Sequence, residues 1–485
     1  MNKTRRASRS PGFVFSASPQ AHILWLTVSD EIEKKKSLRS IPTSRFARGY
    51  RMAKLTAAVS AQALGGKMAN LFGDVAEKQI KTLAGQVKQA KMIADTLSQM
   101  KGAAMKLGQI LSIHGEHLFP KEVVEVLNKL QQHSDELEFG EIEKVLKKEL
   151  GSKLGTELTD VSSTPIASAS IGQVHRAVHK GVDVAVKVQY PGVDKSIDSD
   201  VDSLASLFTM LTRFPSVEGF NSVTEEIKMV LRQETDYLQE GKNLEFFRNY
   251  FKSNDKIVVP RFYPEVSTSR VLTTSLVKGI SVQEFAASTA SAKARANLGA
   301  RFLEVFYNEM FSEGRVQTDP NFANYKIEWS FGIDDPKLVL LDFGAVKTFD
   351  DEFRTNYKRL ARACLSGDYD AIRTGAIEIG FLRAEDPKEL VDMHYELTMM
   401  FTEPFMVNGA YDWAGSGLAE RVRKFMPKFI FAFKLRPPPR DFIFLNRKIV
   451  GVYFFCSAIK AEFNPRPLLE TFTADAAGKV KPRKG

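Results

Sequence analysis

The sequence contains few cysteines and no long apolar run. Only two of its 485 residues are cysteine, Cys364 and Cys456, which excludes a disulfide framework and favours a reducing compartment. Both are expected to be buried small side chains. No segment reaches the roughly 18 apolar residues that a membrane-spanning helix requires. The longest candidate, Ile449–Ile459, predicts a core helix, so an integral membrane protein is not expected.

Histidine is also scarce, and acidic residues are scarce near the N-terminus. The seven histidines show no metal-binding pattern, because His114 and His117 share a predicted helix face but have no Cys or further His nearby. Residues 1–54 carry twelve Lys and Arg against three Asp and Glu, which is nearly all of the net charge of +10. The rest of the chain is almost neutral, so we expect no nucleic acid partner for the folded body.

The basic N-terminal segment has several interpretations. The first acidic residue is Asp30, and the residues before it are rich in Arg and Ser. This composition fits an organelle transit peptide, a disordered basic tail or a misassigned upstream start. Residues 44–65 alternate basic and apolar side chains, as in a helix lying on an anionic membrane or a helix packing on its own protein. Residues 1–65 are therefore predicted to be a basic arm that serves in targeting or membrane binding.

Residues 66–160 are predicted to form a helical extension. Apolar residues recur there at three- and four-residue steps, which is typical of amphipathic helices. Lys106 and Gln109 are three residues apart and therefore project from the same face of one such helix. A later helix is predicted over Glu141–Leu150, and Gly151 is expected to end it.

After Val161 the pattern changes to that of strands. A tight loop between two strands is built from small residues, namely Ala167, Ser168, Ala169, Ser170 and Gly172. Small side chains let backbone N–H groups come close to phosphates. A turn and a further strand follow, and this strand ends in Val-Ala-Val-Lys at Lys187, whose charge would face the same phosphates. The alternative is an ordinary lysine at a strand edge.

The next part of the chain offers two glutamates that could pair with Lys187. A long helix is predicted over Val223–Tyr250, and it carries Glu234 and Glu240. A kinase pairs one helix-borne Glu with the strand Lys, and spacing alone does not choose between these two. A later strand ends near Ser275, and Val277 opens a segment that resembles an inter-lobe hinge. Backbone groups of such a hinge would bind an adenine.

Two acidic motifs lie between Gly314 and Ala345. Asp319 is followed five positions later by Asn324, and after a short apolar strand Asp342 opens Asp-Phe-Gly. Protein-kinase-like enzymes use such a set to position the nucleophile and to hold the magnesium ions that bridge the phosphates. The order and separation of the two motifs carry this prediction, because the tripeptide alone is weak evidence. A β-hairpin with incidental acidic residues is the alternative.

Together these residues resemble the UbiB family of atypical kinases, which supports ubiquinone biosynthesis in bacteria and mitochondria. The resemblance covers roughly Ile41–Pro465. It rests on six motifs in order, which are Lys-x-Gly-Gln, the Ala-rich loop, Val-Ala-Val-Lys, Glu-x-Asp at Glu234 and Asp236, Gln-Thr-Asp-Pro-Asn and Asp-Phe-Gly. It implies an α+β, protein-kinase-like fold with two lobes, and a helical extension that covers the active site. The antiparallel-sheet N-lobe would span residues 161–276, and the helical C-lobe residues 277–485.

The resemblance also implies roles for single residues. Lys187 would contact the nucleotide phosphates and pair with Glu240, where this family places its lobe-bridging glutamate. Asp319 would be the catalytic-loop aspartate. Asn324 and Asp342 would bind Mg²⁺.

Other motifs set this chain apart from ordinary protein kinases. By the resemblance, Lys106 and Gln109 would fold over the site and meet Glu234 and Asp236, where a protein kinase admits its peptide. Gln-Thr-Asp replaces His-Arg-Asp, and no Ala-Pro-Glu follows Asp-Phe-Gly. The chain is expected to pass into a helix directly after Phe349-Asp350-Asp351, so an activation loop switched by phosphorylation is not expected.

The expected function is that of an atypical kinase or ATPase that binds ATP or ADP with Mg²⁺ and supports ubiquinone synthesis at a membrane. The alternatives are a nucleotide-gated scaffold or lipid-binding module without turnover, and a protein kinase. Besides ATP, the expected partners are prenyl-quinone lipid precursors or an anionic membrane surface, and a quinone-biosynthesis protein complex.

Two expectations concern location. A peripheral or cytoplasmic protein at the bacterial inner-membrane face is favoured by the short chain that precedes the kinase-like body. The matrix side of the mitochondrial inner membrane is the alternative. The aromatic segment Lys424–Leu435 is a second candidate for membrane contact, and a core helix is the other interpretation.

Overall fold

The fold is taken from a computed structural model that describes residues 137–169, 171–212, 224–225, 228–229, 231–407, 409–433 and 439–474. The predicted basic arm and most of the predicted helical extension lie outside these residues. The same holds for Lys106, Gln109 and Ser170.

The strands, in chain order, are β1 (Leu158–Thr159), β2 (Pro165–Ala169), β3 (Gly172–His179), β4 (Val182–Gln189), β5 (Ile257–Val258), β6 (Val271–Ser275), β7 (Arg315–Gln317), β8 (Tyr325–Glu328), β9 (Lys337–Leu340), β10 (Val346–Thr348), β11 (Tyr411–Asp412) and β12 (Glu462–Phe463). The α-helices are α1 (Phe139–Leu150), α2 (Val193–Thr212), α3 (Tyr237–Tyr250), α4 (Val282–Ala287), α5 (Ala292–Tyr307), α6 (Asp351–Ser366), α7 (Tyr369–Glu378), α8 (Lys388–Met406), α9 (Leu418–Ala432), α10 (Arg440–Ala458) and α11 (Arg466–Thr473).

The N-lobe is an antiparallel sheet with the strand order β1-β3-β4-β6, and β2 pairs with the free part of β3. The predicted hairpin is confirmed, because β3 pairs with β4 from Gly172 to Gln189 and turns at Lys180 and Gly181, which both have positive φ. Alternate residues of β4 are buried against α1 in one apolar cluster. The period of two places Lys187 on the opposite face of this strand.

The C-lobe is mostly helical, as expected, and holds two small sheets next to the acidic motifs. β8 and β9 form an antiparallel hairpin, and β5 joins it as a parallel partner of β9. β7 pairs with β10. The predicted core helix over Ile449–Ile459 is confirmed as part of α10, where Phe455 stacks on Phe302 of α5 at a ring distance of 4.1 Å. Cys364 and Cys456 are both buried and unpaired, as predicted.

Helices α6 to α9 form a further apolar cluster. It decides between membrane contact and a core helix for the segment Lys424–Leu435. Phe425, Phe429 and Phe433 of the Lys424–Leu435 segment are buried in this cluster. These aromatic rings therefore belong to a core helix, and they do not face outward. Among the described residues, we find no helix with the length and apolarity needed to cross a bilayer.

The predicted helix over Val223–Tyr250 is wrong in its extent. Residues 231–234 are helical, but Thr235 and Asp236 interrupt the helix, and α3 begins only at Tyr237. The cause is local: the Asp236 side chain accepts a hydrogen bond of 3.0 Å from the backbone N–H of Gln239. An aspartate in this position caps a new helix and so competes with continuation of the preceding one.

Candidate active site

A lysine bridges the two lobes. Lys187 on β4 donates hydrogen bonds to both carboxylate oxygens of Glu240 on α3, at 3.0 Å each, and to Oδ2 of Asp342 at 2.9 Å. The Glu240 side chain is 2% exposed and that of Lys187 is 15% exposed. Of the two glutamates that spacing left open, Glu240 is the one in contact with Lys187. One ammonium group thus joins the N-lobe sheet, α3 and the Asp-Phe-Gly motif.

Burial and neighbouring charges act in opposite directions on the pKa of Lys187. Burial disfavours the charged form of Lys187, but the Asp342 and Glu240 carboxylates outweigh it and raise the pKa of Lys187 well above its usual value. Burial raises the pKa of Glu240 to about 8, with a further contribution from Asp342 and opposition from Lys187. The Asp342 carboxylate, whose side chain is 28% exposed, is the group of this cluster that a further cation could contact.

The catalytic-loop candidates lie beside this cluster. Asp319 follows β7, and Asn324 closes the short turn before β8. The Asn324 amide donates a hydrogen bond of 3.1 Å to Oδ2 of Asp319, and Asp342 accepts one of 2.9 Å from the N–H of Gly344. Backbone hydrogen bonds join the two acidic motifs, from the N–H of Thr318 to the carbonyl oxygen of Ala345 at 2.8 Å and from the N–H of Leu341 to that of Asn324 at 2.9 Å. Carboxylate and side-chain amide oxygens, as in Asp342 and Asn324, are the ones that Mg²⁺ takes up together with phosphate.

The small-residue loop is a β-hairpin. Ala167, Ser168 and Ala169 lie on β2 and pair with the first residues of β3, with Ser168 opposite Gln173 and Ala169 opposite Gly172. A Cβ on Gly172 would lie 2.4 Å from the carbonyl oxygen of Val188. Only glycine therefore fits at the start of β3 without a shift of the backbone.

The predicted hinge follows the N-lobe sheet directly. Ser275 ends β6, and its hydroxyl accepts a hydrogen bond of 2.9 Å from the N–H of Arg261. Val277 lies in the segment between β6 and α4. Ile280 then pairs with Ile327 of β8 through two backbone hydrogen bonds. The hinge is thereby fixed to the strand that follows Asn324.

The Glu-x-Asp pair lies directly before α3, at the break between two helical segments. Glu234 is 9% exposed and lies six residues before Glu240, while Asp236 caps α3. Glu234 thus ends the preceding helical segment, and Asp236 caps the helix that carries the lysine partner. Their predicted partners, Lys106 and Gln109, lie outside the described residues, so the predicted cover stays a prediction.

Comparison with known proteins identifies the family. The ABC1 atypical kinase-like domain matches residues 129–375, a range that contains Lys187, Glu240, Asp319, Asn324 and Asp342. The chain belongs to the ABC1 family of atypical kinases. The predicted resemblance to the UbiB atypical kinases is thereby confirmed, and so is the prediction that the chain is an atypical-kinase enzyme.

Relatives of this ABC1 chain match over most of its length. It is 32% identical to the mitochondrial atypical kinase COQ8B of Rattus norvegicus, over 91% of this chain and 86% of the relative. It is 29% identical to the mitochondrial atypical kinase COQ8 of Saccharomyces cerevisiae, over 92% and 88%. The structure of an Rv3197–erythromycin complex from Mycobacterium tuberculosis superposes with a TM-score of 0.56, at 23% identity over 81% of this chain and 98% of that chain. This likeness supports the predicted kinase-like fold with an antiparallel-sheet N-lobe.

The ABC1 match ends before two basic residues that sequence reasoning missed. Arg447 on α10 is 3% exposed, and its guanidinium lies 3.7 Å from Oδ1 of Asp319. The next residue, Lys448, forms a buried ion pair of 3.0 Å with Glu309. The available signal was two consecutive basic residues directly before the apolar run that ends α10. Their partners lie more than a hundred residues earlier, so no local pattern could name them.

A glutamine connects this ion pair to the backbone of the candidate catalytic loop. Gln317 donates a hydrogen bond of 2.9 Å to the backbone oxygen of Asp319 and accepts one of 3.1 Å from the Tyr325 hydroxyl. Lys448 lies 3.5 Å from the same side-chain oxygen. Gln317 stands where ordinary protein kinases have the histidine of His-Arg-Asp. In this chain it links α10 to the backbone of Asp319.

Proposed function

We propose that this protein is a magnesium-dependent, ATP-binding atypical kinase or ATPase that supports ubiquinone synthesis at a membrane. The observation that carries the proposal is the position of Lys187 between Glu240 and Asp342, with the Asn324–Asp319 pair beside it. These five side chains come from both lobes, and four of them are ionisable. The ABC1 family membership supports the same assignment.

Each side chain has a chemical task in this proposal. Lys187 would contact the α- and β-phosphates while Glu240 holds its ammonium group in position. Asn324 and Asp342 would hold Mg²⁺, which when bound neutralises charge on the phosphates. Asp342 would then exchange its contact with Lys187 for the metal ion. Asp319 would orient the attacking hydroxyl or water and accept its proton.

The nucleotide would lie between the lobes. The hairpin with Ala167, Ser168, Ala169, Ser170 and Gly172 would cover the phosphates with backbone N–H groups, because its small side chains leave room. Backbone groups near Ser275 and Val277 would meet the adenine. Both segments join directly to the strands that flank Lys187.

The biological role is proposed from the family. The rat and yeast relatives are named mitochondrial atypical kinases, which favours the mitochondrial alternative over the bacterial inner membrane. The proposed partners are prenyl-quinone lipid precursors, an anionic membrane surface and a quinone-biosynthesis complex. A cover formed by Lys106 and Gln109 over Glu234 and Asp236 would restrict access by protein substrates.

The test is ATP turnover with and without vesicles that contain a prenyl-quinone precursor. We expect wild-type turnover and its loss in Asp342→Asn. A matched control is Asp255→Asn, which changes a carboxylate that is 82% exposed and should leave turnover intact. Unchanged turnover in Asp342→Asn would contradict the proposal.

The same assay separates the rival functions. Tight nucleotide binding without turnover in the wild type would favour the nucleotide-gated scaffold. Transfer of labelled phosphate to a protein would favour a protein kinase, whereas transfer to the lipid precursor or to water supports the proposal.

Membrane binding has its own test. The net positive charge of residues 1–54 motivates the proposal that this arm binds anionic lipid. Deletion of residues 1–65 should therefore reduce sedimentation with cardiolipin vesicles. Equal sedimentation of the truncated protein would show that the arm is not the anchor.

A further inference from the structure

A tyrosine hydroxyl lies buried beside Lys187 without a hydrogen-bond partner among the described residues. Tyr237 is the first residue of α3 and is 0% exposed, and its hydroxyl is one of the few buried side-chain polar atoms left unpaired there. A buried hydroxyl without a partner is unfavourable, because it loses its hydrogen bonds to water and gains none. Such a group suggests that a partner arrives with a ligand.

The hydroxyl points towards the small-residue hairpin. A Cβ built on Gly172 would lie 3.0 Å from the Tyr237 oxygen, so the hydroxyl reaches the first residue after the loop. The Lys187 ammonium lies 4.9 Å from the centre of the Tyr237 ring. Tyr237 and Glu240 are three residues apart on α3, so both side chains lie on the face of the helix that meets Lys187.

The Tyr237 hydroxyl is suited to bind an anion, because it can donate a hydrogen bond. Burial raises the pKa of the Tyr237 hydroxyl well above its usual value, so the group keeps its proton and can donate a hydrogen bond. The neighbouring carboxylates of Glu240 and Asp342 already accept hydrogen bonds from Lys187. A donor next to a cation, below a loop of small residues, is the arrangement that binds a phosphate oxygen.

We propose that the Tyr237 hydroxyl is a further nucleotide contact, and that it donates a hydrogen bond to a phosphate oxygen beside Lys187. This inference rests on the proposed nucleotide site and adds a residue to it. It also ties nucleotide binding to the start of α3, where Asp236 forms the helix cap. The contact would hold α3 and the small-residue hairpin to the same phosphate.

The test is Tyr237→Phe, which removes only the hydroxyl. We expect the melting temperature without nucleotide to equal or exceed that of the wild type, because an unpaired buried hydroxyl is lost. The dissociation constant for ATP or ADP with Mg²⁺ should rise by about tenfold, the effect of one hydrogen bond to a charged group. Calorimetry measures the binding, and thermal unfolding without nucleotide measures the stability.

Tyr250→Phe is the matched control on the same helix. The Tyr250 hydroxyl has a partner, since it donates a hydrogen bond of 2.8 Å to Asn308. Its removal should therefore lower the melting temperature and leave the nucleotide dissociation constant unchanged. The two variants thus make opposite predictions for stability and for binding.

Three outcomes would contradict either this inference or the proposed function. An unchanged nucleotide dissociation constant in Tyr237→Phe would overturn the inference and leave the proposed function intact. A clear loss of stability in Tyr237→Phe without nucleotide would also overturn it, because the hydroxyl would then have a structural partner. Absence of nucleotide binding to the wild type would instead contradict the proposed function.

Discussion

At the scale of single residues, Gly172 shows how close the packing is next to the predicted site. A Cβ there would lie 2.4 Å from the carbonyl oxygen of Val188, whereas one on Gly140 of α1 would meet nothing within 4 Å. We therefore expect Gly172→Ala to lower the free energy of unfolding by about 1–3 kcal/mol. Gly140→Ala should raise it by roughly 0.5–1 kcal/mol, because alanine favours the helix. Denaturant unfolding of both variants checks this pair, and equal effects would contradict it.

A variant of Asp319 is expected to lose ATP turnover while it keeps nucleotide binding. The proposed role of its carboxylate is to orient the attacking group and accept a proton, which contributes about 10²–10⁴-fold to a rate. Asp319→Asn should reduce ATP turnover by such a factor. It should also keep nucleotide binding, because Lys187, Glu240 and Asp342 are unchanged. Steady-state turnover and calorimetry test the two statements, and full turnover in the variant would exclude Asp319 as the catalytic residue.

At the scale of elements, the buried ion pair joins α10 to the π-helix Asn308–Glu313. The Glu309 and Lys448 side chains are 1% and 2% exposed, and burial raises the pKa of Glu309 to about 7. Lys448→Met leaves this carboxyl group buried without its partner, so we expect a loss of about 3–5 kcal/mol in the free energy of unfolding. The double variant Glu309→Leu/Lys448→Met should recover most of it. A double variant as unstable as the sum of both single variants would contradict this account.

The helical cluster of α6 to α9 is expected to make the protein sensitive to acid. His394 on α8 is buried against Phe381, at a ring distance of 4.8 Å, and burial lowers its pKa to about 4. The unfolded chain binds this proton more readily, so the folded state loses stability as the pH falls from about 6.5 towards 4. The loss should reach about 2 kcal/mol near pH 5.

His394→Leu should remove this contribution. Melting temperatures measured at about pH 7.5 and about pH 5 should therefore differ less in the variant than in the wild type. An equal difference in both proteins would assign the acid sensitivity to other groups.

The sequence predicted those elements whose signals are local. Strands β3 and β4 were found because their alternation and the Lys180-Gly181 turn lie within one short stretch. The predicted helix Val223–Tyr250 was wrong at Asp236, because apolar periodicity continues across the break and a single capping side chain decides it. A capping aspartate three residues before Gln239 was the signal that could have shown it.

At the scale of the whole molecule, family motifs predicted the kinase-like fold. Contacts between elements that are distant in sequence could not be predicted from composition and spacing. Lys187, Glu240 and Asp342 lie in three separate segments, and only the motif order of a kinase joins them. Arg447 and Lys448 belong to none of the six motifs, so their contacts with Asp319 and Glu309 appear only once α10 has packed into the C-lobe. Such pairings depend on tertiary packing, which composition and spacing do not contain.

The most direct test of the account is thermal stability with ATP or ADP, each with and without Mg²⁺, for the wild type and Asp342→Asn. A ligand at a hundred times its dissociation constant stabilises the folded state by about 2.7 kcal/mol, which corresponds to several degrees. We predict a magnesium-dependent rise for the wild type that Asp342→Asn loses. No rise with either nucleotide, or an equal rise in the variant, would contradict a nucleotide and magnesium site at Lys187 and Asp342.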